Sequence, residues 1–420
     1  MITDSVWSSR LKALGPGLLW AGAAIGVSHL VQSTRAGANY GFALIWILLV
    51  ANLFKYPAFE FGPRYAAATG ESLLEGYKRI GKWAMTVFLL MTFGTMFTIQ
   101  AAVTIVTAGL ASKLFGLEWS ALTWSAVLLA ICALILMIGR YPLLDKVIKA
   151  IIILLTLSTL IAVGMAVGHG SSVQTDFIPP RVWNLTGIAF MVALMGWMPS
   201  AIDISVWHSL WTLERKKSTG HAPTLREALF DFNLGYFGTA VLSLCFLTLG
   251  ALVMYGRGES FSPAGAVFAG QLINLYTGAL GEWSRPIIAI AAFTTMLSTT
   301  LTVTDAFPRV LRRSSELVFP GKFNQDNSQW LYWAWMAVVV LGALTMIGFF
   351  LHGMTQLVDL ATTLSFLTAP ILAYINYRVV TGDWVPEAAR PKPWLRIFSW
   401  VAIIFLAGFS LFFLVWKFLF

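Results

Sequence analysis

Long apolar runs separated by short polar stretches make up most of this chain. A helix needs about 20 consecutive, mostly apolar residues to cross the hydrocarbon core of a bilayer. The pattern predicts eleven membrane-spanning helices, at residues 13–36, 41–61, 83–110, 119–138, 144–168, 184–211, 229–255, 285–308, 330–351, 355–377 and 396–418. The shortest gap, around His352 and Gly353, separates the ninth helix from the tenth. The predicted fold class is an all-α polytopic membrane protein, with residues 1–420 forming a single transmembrane domain.

Two of the predicted helices are interrupted in the middle. The first contains Gly26-Val27-Ser28-His29, and the sixth contains Gly196-Trp197-Met198-Pro199-Ser200. Proline removes a backbone donor, and backbone groups freed inside a membrane must face protein, water or a ligand. Two interruptions five helices apart indicate a 5+5 inverted repeat, with unwound helices around a central solute site. We therefore divide the chain into a first repeat (13–168), a second repeat (184–377) and an extra helix (396–418); simple kinks are the alternative.

Composition and charge support a membrane protein and give its orientation. Of the 420 residues, 58% are hydrophobic and 11% are charged, whereas soluble domains average about 25% charged. With the amino terminus inside, 21 Lys and Arg residues fall on the cytoplasmic side and 6 on the outer side. Cytoplasmic loops carry such an excess. We expect a protein of the cytoplasmic membrane, with its amino terminus cytoplasmic, its carboxyl terminus outside, and no nucleic-acid partner despite the net charge of +9.

A series of short motifs resembles the Nramp family of divalent-metal transporters. The motifs, in chain order, are Gly15-Pro-Gly-Leu-Leu, Gly37-Ala-Asn-Tyr-Gly41, Ala68-Thr-Gly70-Glu, Leu114-Phe-Gly116, Pro179-Pro180, Met198-Pro199 and Ser298-Thr-Thr-Leu-Thr302. Their order and spacing carry the resemblance over roughly residues 15 to 310. The resemblance implies a fold like that of the bacterial leucine transporter, in which helices one and six unwind around the substrate.

The chain departs from the family pattern where that family binds metal. The family's Asp-Pro-Gly-Asn motif falls on Gly26-Val27-Ser28-His29, and its Met-Pro-His falls on Met198-Pro199-Ser200. Other functional positions of the family fall on Gln100 and Val103 in helix three, Ser205 in helix six and Thr362 in helix ten. The resemblance therefore implies that the usual metal motif has been lost.

Residues around the two breaks are the candidate substrate ligands. We predict that they are Gly26, Ser28, His29, Met198, Ser200, Asp203, Trp207 and Thr362. Asp203 and Trp207 lie four positions apart and so share a helix face, which suits an organic cation. Free amides at the helix breaks would suit a carboxylate. The sequence thus slightly favours an amine, an amino acid or a zwitterion.

A metal ion is the alternative substrate. Removing a dication from water at mid-membrane requires a counter-charge, which Asp203 would supply. His29, Met198 and Asp203 would together form a nitrogen, sulfur and oxygen set suited to a borderline or soft metal. Asp203 as a structural acid and His29 as a packing histidine are the other interpretations.

The sequence predicts a secondary transporter without a cofactor, and leaves its coupling ion open. Hydroxyl residues of helix eight, chiefly Ser298, Thr299 and Thr302, are candidates for a sodium site; a coupling proton is the alternative. A channel would more often show a ring of pore-lining polar residues, and an enzyme would need a convergent catalytic set. The five His and two Cys residues are scattered, so we predict that the chain is not an enzyme and that its partners are a small solute or ion and the lipid bilayer.

Overall fold

The computed structural model describes residues 15–138, 141–169, 174, 176–323, 328–349 and 353–419. Within these ranges it does not describe the side chains of residues 141–152, 169, 218 and 419. The start predicted for the first helix, the cytoplasmic cations Arg10 and Lys12, and His352 lie outside the described residues. Across the described ranges the regular elements are helices, apart from one isolated bridge between Pro320 and Phe323.

The helices follow one another through short connections. In chain order they are α1 (Pro16–Ala24), α2 (Thr34–Tyr40), α3 (Ile45–Thr69), α4 (Leu73–Ile80), α5 (Lys82–Phe115), α6 (Ala121–Ile138), α7 (Tyr141–His169), α8 (Leu185–Trp197), α9 (Ile204–Thr219), α10 (Leu225–Val253), α11 (Gly265–Leu280), α12 (Arg285–Val318), α13 (Gln329–Phe349), α14 (Met354–Val380) and α15 (Pro393–Leu419). A π-helical segment, Val27–Ser33, joins α1 to α2, and short 3-10 turns cover Glu282–Ser284 and Glu387–Ala389.

The all-helical membrane fold predicted from the sequence is confirmed. The first predicted helix corresponds to α1, the π segment and α2, and the sixth corresponds to α8 and α9. Each of the other nine predicted segments overlaps one long helix. By length and composition, seven helices of the described ranges could cross a membrane, so the count of eleven crossings stays a prediction.

Two helices were not predicted because they are too short to span a bilayer. Helix α4 has eight residues and begins at a capping box, in which the Ser72 backbone amide donates to the Glu75 carboxylate at 3.0 Å. Helix α11 has 16 residues and lies against α5 and α7. A search for runs of about 20 apolar residues passes over both of them.

Each broken helix packs against one helix of the other half of the chain. Helices α1 and α2 pack along α10, and α9 packs on α3, whereas α8 packs on α14 of its own half. Helix α3 follows the first broken helix in the chain, and α10 follows the second. Each broken helix therefore contacts the helix that follows the other one, as repeats related by a two-fold axis require. The division into repeats at 13–168 and 184–377 stays a prediction.

Glycines allow the first broken helix to approach α10 closely. A Cβ added to Gly37 would lie 1.9 Å from the Leu247 carbonyl oxygen, and one added to Gly250 would lie 2.2 Å from the Thr34 carbonyl oxygen. Membrane helices associate through such small residues, because lipid supplies no hydrophobic force between them. The first broken helix is therefore held close against α10.

Both cysteines, Cys132 and Cys245, are free thiols.

Candidate functional site

The first helix breaks around Gly26. Helix α1 ends at Ala24, and the backbone of Gly26 has φ −138° and ψ −123°, outside the helical range. A Cβ at Gly26 would lie 2.7 Å from the Thr299 Oγ1 atom of α12. The absence of a side chain thus lets α12 reach the unwound backbone.

The sixth helix breaks between Trp197 and Asp203. Helix α8 ends at Trp197, the Met198–Pro199 peptide bond is cis, and Asp203 immediately precedes α9. Asp203 therefore lies at the start of the second half-helix. Its side chain is buried close to the amino-terminal end of α9.

A small cavity lies between the two breaks. It has a volume of about 30 Å³, and its polar lining comes from Ser28, Ser200, Asp203 and Thr299. Trp197 and Trp207 supply its aromatic walls. Neither carboxylate oxygen of Asp203 makes a hydrogen bond of good geometry within the described part of the chain. The cavity thus presents one carboxylate and three hydroxyl groups.

Lys55 of α3 reaches the helix-six break from the other side. Its Nζ atom donates to the carbonyl oxygens of Met195 at 2.6 Å, Gly196 at 2.7 Å and Ser200 at 3.0 Å. The Lys55 side chain is fully buried. The sequence pattern does not place this lysine in the site, because hydropathy shows only that a charge falls within an apolar run and not where its side chain points.

His29 is turned away from the cavity. Its Nε2–H donates to the Thr239 carbonyl oxygen of α10 at 2.9 Å, and its Nδ1 lies 2.7 Å from Ser28 Oγ. His29 and Met198 are both buried, but neither lines the cavity beside Asp203. Within the described residues, the structure also contains no group of three or more His, Cys, Asp or Glu side chains that could hold a metal ion.

Three of the candidate residues lie just outside the cavity or bond within their own helix. Thr362 donates to the Val358 carbonyl oxygen at 2.9 Å and is buried between α14 and the first helix, where Gln32 contacts it. Thr302 likewise donates to the Ser298 carbonyl oxygen at 2.8 Å. The Ser298 hydroxyl is buried and has no hydrogen-bond partner in the described structure.

Thr299 is the helix-eight hydroxyl that joins the two halves of the site. It lines the cavity. Its hydroxyl group lies within donor distance of two carbonyl oxygens, that of Gly22 in α1 at 3.3 Å and that of Thr295 in its own helix at 3.2 Å. Of the three predicted sodium candidates, it alone lines this cavity.

One end of the site is closed by an ion pair between the first and tenth predicted helices. The Arg35 guanidinium donates to both carboxylate oxygens of Asp359, at 2.7 and 3.1 Å, and to Gln32 Oε1 at 2.8 Å. The Gln32 amide donates to Asp359 at 3.0 Å. The guanidinium also lies 5.1 Å from the centroid of the Phe190 ring. A bidentate Arg–carboxylate pair of this kind is a strong, directional contact.

The other end is closed by aromatic side chains. Trp207 contacts Phe307 edge-to-face, with ring centroids 5.1 Å apart, and Trp211 with centroids 6.2 Å apart. Further along the same two helices, Glu214 and Arg309 line an open cavity of about 830 Å³. The aromatic contact therefore separates the small central cavity from this larger vestibule.

Comparison with known proteins gives a family and a fold. Residues 17–416 match the family model described as Nramp, natural resistance-associated macrophage protein-like. An uncharacterized protein of Pasteurella multocida is 36% identical over 98% of this chain and 94% of its own length. The metal transporter Nramp2 of rice, Oryza sativa subsp. japonica, is 22% identical over 95% of this chain and 76% of its own length. The crystal structure of a mutant manganese transporter of Eremococcus coleocola superposes with a TM-score of 0.68 at 14% identity, covering 98% of this chain and 88% of that one.

Proposed function

The chain belongs to the Nramp family, and from that premise we propose that it is a secondary transporter of a small, hard cation, with a divalent metal ion as the first candidate. The observation that carries the proposal is Asp203. This carboxylate is buried at the helix-six break, lines the central cavity and has no hydrogen-bond partner of good geometry in the described residues. An ionisable group inside a membrane is costly and usually serves an ion or substrate path.

The chemistry of the cavity lining favours a hard ion. Its polar side chains are the Asp203 carboxylate and the hydroxyls of Ser28, Ser200 and Thr299. Oxygen ligands suit Mg²⁺ and Mn²⁺, whereas nitrogen and sulfur ligands suit softer metals. We therefore propose this all-oxygen set in place of the His29, Met198 and Asp203 set considered from the sequence.

The size of the cavity also favours an ion over an organic solute. A volume of about 30 Å³ holds roughly two water molecules, since one water needs about 10–15 Å³ on this measure. An amino acid would require a much larger opening. The slight preference for an amine, amino acid or zwitterion drawn from the sequence also finds no support among the relatives, of which the rice protein is named a metal transporter.

We further propose that the two closures open in turn. The ion pair between Arg35 and Asp359 shuts the predicted outer side, and the contact between Trp207 and Phe307 shuts the predicted cytoplasmic side. Opening one closure at a time would give the cavity alternating access to the two sides of the membrane. In the present arrangement both contacts are formed.

Uptake into proteoliposomes tests the proposal. Purified protein would be reconstituted around a metal-sensitive dye, and entry of Mn²⁺, Mg²⁺ and Cd²⁺ would be followed in turn. We expect uptake of Mn²⁺ or Mg²⁺, and a loss of at least about tenfold in the Asp203→Asn protein, because bonds to a charged ligand each contribute about 1.5–3 kcal/mol.

The matched control is Asp383→Asn. The Asp383 side chain is fully exposed in the loop after α14, so its loss of charge should leave uptake unchanged. Equal uptake by the Asp203→Asn and wild-type proteins would refute the assigned ligand. Failure of all three metals to bind or enter, in protein shown to be folded, would refute the cation substrate and return attention to amines and amino acids.

A further inference from the structure

The end of the Lys55 side chain is surrounded by backbone carbonyls inside the membrane domain. Three carbonyl oxygens lie 2.6, 2.7 and 3.0 Å from its Nζ atom. An ammonium group has three N–H donors, whereas a neutral amine has two. The number of acceptors therefore matches the charged form of Lys55.

These carbonyls are available because the sixth helix breaks. In a continuous helix the Met195 carbonyl would accept from residue 199, but Pro199 has no N–H, and the Met195 carbonyl keeps one long backbone bond, from the Met198 amide at 3.4 Å. The Gly196 carbonyl would accept from residue 200, where the helix has already ended. Freed carbonyls cannot be left unsatisfied in a membrane, and the Lys55 ammonium supplies the missing donors.

An acid on the same break complements the charge of Lys55. Asp203 is buried at this break, three residues after Ser200, whose carbonyl oxygen accepts from Lys55, and its oxygens make no hydrogen bond of good geometry within the described residues. Three carbonyls with a nearby carboxylate form the kind of oxygen environment that binds a dehydrated monovalent cation.

We propose that the helix-six break contains a monovalent-cation site, formed by the carbonyls of Met195, Gly196 and Ser200 with the charge of Asp203, and that Lys55 fills this site permanently. The ligand class of the vacated site is a small monovalent cation, such as an ammonium or alkylammonium ion. The native protein thus carries its own cation at this position. The inference does not depend on which solute is transported.

Melting temperatures of purified protein test the site without a transport assay. The Lys55→Ala variant removes the ammonium and leaves space, whereas Lys55→Met removes the ammonium and fills the space with an apolar chain. We expect both variants to melt below wild type, because the three carbonyls lose their donor. Methylammonium should raise the melting temperature of Lys55→Ala by about 3 °C or more, relative to choline at equal ionic strength, and should leave Lys55→Met and wild type unchanged.

A second comparison covers the case in which Lys55→Ala does not fold. Removing one member of a buried charge pair is more harmful than removing both. The double variant Lys55→Met/Asp203→Asn should therefore melt higher than Lys55→Met, or give a larger monodisperse peak on size exclusion if the single variant does not accumulate. Folded Lys55→Ala that is indifferent to methylammonium would overturn the proposal. If Lys55→Ala cannot be obtained, a double variant no better than Lys55→Met would overturn it.

Discussion

At the scale of single residues, two charges buried at the helix-six break define the candidate site. Asp203 was identified from the sequence because an acid within a membrane helix is rarely without a function. Lys55 stands within an apolar run of the sequence, which shows a buried charge or one that reaches the membrane surface equally well. Its three hydrogen bonds to carbonyls show that it does not extend to the membrane surface. Two different chain segments must be placed together before such a contact can be seen.

A glycine next to the break provides a stability prediction at this scale. A Cβ at Gly196 would lie 1.8 Å from the Thr362 carbonyl oxygen, so Gly196→Ala must push α8 away from α14. We expect a loss of more than about 2 kcal/mol, because overpacking against a backbone cannot be relieved by a side-chain rotation. Thermal unfolding of the purified variant would measure the loss.

Gly94→Ala is the matched control for that substitution. Gly94 lies within α5, and a Cβ added there meets no atom of the described residues within 4 Å. Alanine also favours a helix over glycine, so this variant should melt at or slightly above the wild-type temperature. Equal melting temperatures for the two variants would contradict the prediction that α8 needs a glycine at position 196 to pack against α14.

At the scale of elements, the broken helices gather most of the candidate residues. The breaks were found from Gly26 and Pro199, and the structure places both of them around one cavity lined by Ser28, Asp203 and Thr299. His29 lies on the same π segment as Ser28 but bonds to α10. Adjacent residues of a helix project in different directions, so membership of the break does not by itself decide which side chains reach the substrate.

Opening of the outer closure gives a prediction at this scale. In a background without Cys132 and Cys245, a cysteine at Ala24 would report access to the cavity that this residue lines. We expect Arg35→Ala to raise its labelling by a membrane-impermeant thiol reagent about tenfold in whole cells. The physical reason is that the bidentate pair with Asp359 is lost. This loss destabilises the closed outer side, relative to the open one, by roughly 1.4 kcal/mol or more.

Arg285→Ala serves as the control for this experiment. Arg285 lies on the same predicted side, where it pairs with Glu282 at 2.7 Å and donates to Asn274 of α11 at 2.9 Å. Neither of these contacts involves a broken helix. The loss of Arg285 should leave the labelling rate of the Ala24→Cys protein unchanged. If both arginine variants label at the same rate, the Arg35 pair does not act as the outer closure.

At the scale of the whole molecule, positively charged side chains are concentrated at one end of the helix bundle. The Lys- and Arg-rich end includes Arg313, which bridges Glu75 of α4 and Glu316 of α12. The large vestibule opens among these residues. Cytoplasmic loops of membrane proteins carry such a positive excess, so this vestibule is expected to face the cytoplasm.

Reporter fusions test the predicted orientation of the whole chain. Alkaline phosphatase is active only outside the cytoplasmic membrane, and green fluorescent protein fused to an exported end does not fluoresce. We expect a fusion after the final residue to give phosphatase activity without fluorescence, because eleven crossings from a cytoplasmic amino terminus end outside. A fusion after Gly382, in the loop that follows α14, should give the reverse. The same result at both positions would exclude a membrane crossing by α15.

The helical membrane fold, the positions of the two breaks and the resemblance to the Nramp family could all be predicted from the amino-acid sequence. These features follow from local signals: runs of apolar residues long enough for a bilayer, a proline or glycine that interrupts them, and motifs in a fixed order. Helices α4 and α11 were missed because they do not span, so a hydropathy criterion does not detect them.

Which polar groups share the central cavity depends on how the helices pack. Packing turns His29 toward Thr239, leaves Asp203 facing the cavity and brings the Lys55 ammonium to carbonyls about 140 residues away in the chain. These outcomes depend on the rotation and distance of neighbouring helices, which side-chain packing sets. A linear pattern contains the groups that can bind a cation, but the packing of the bundle decides which of them meet.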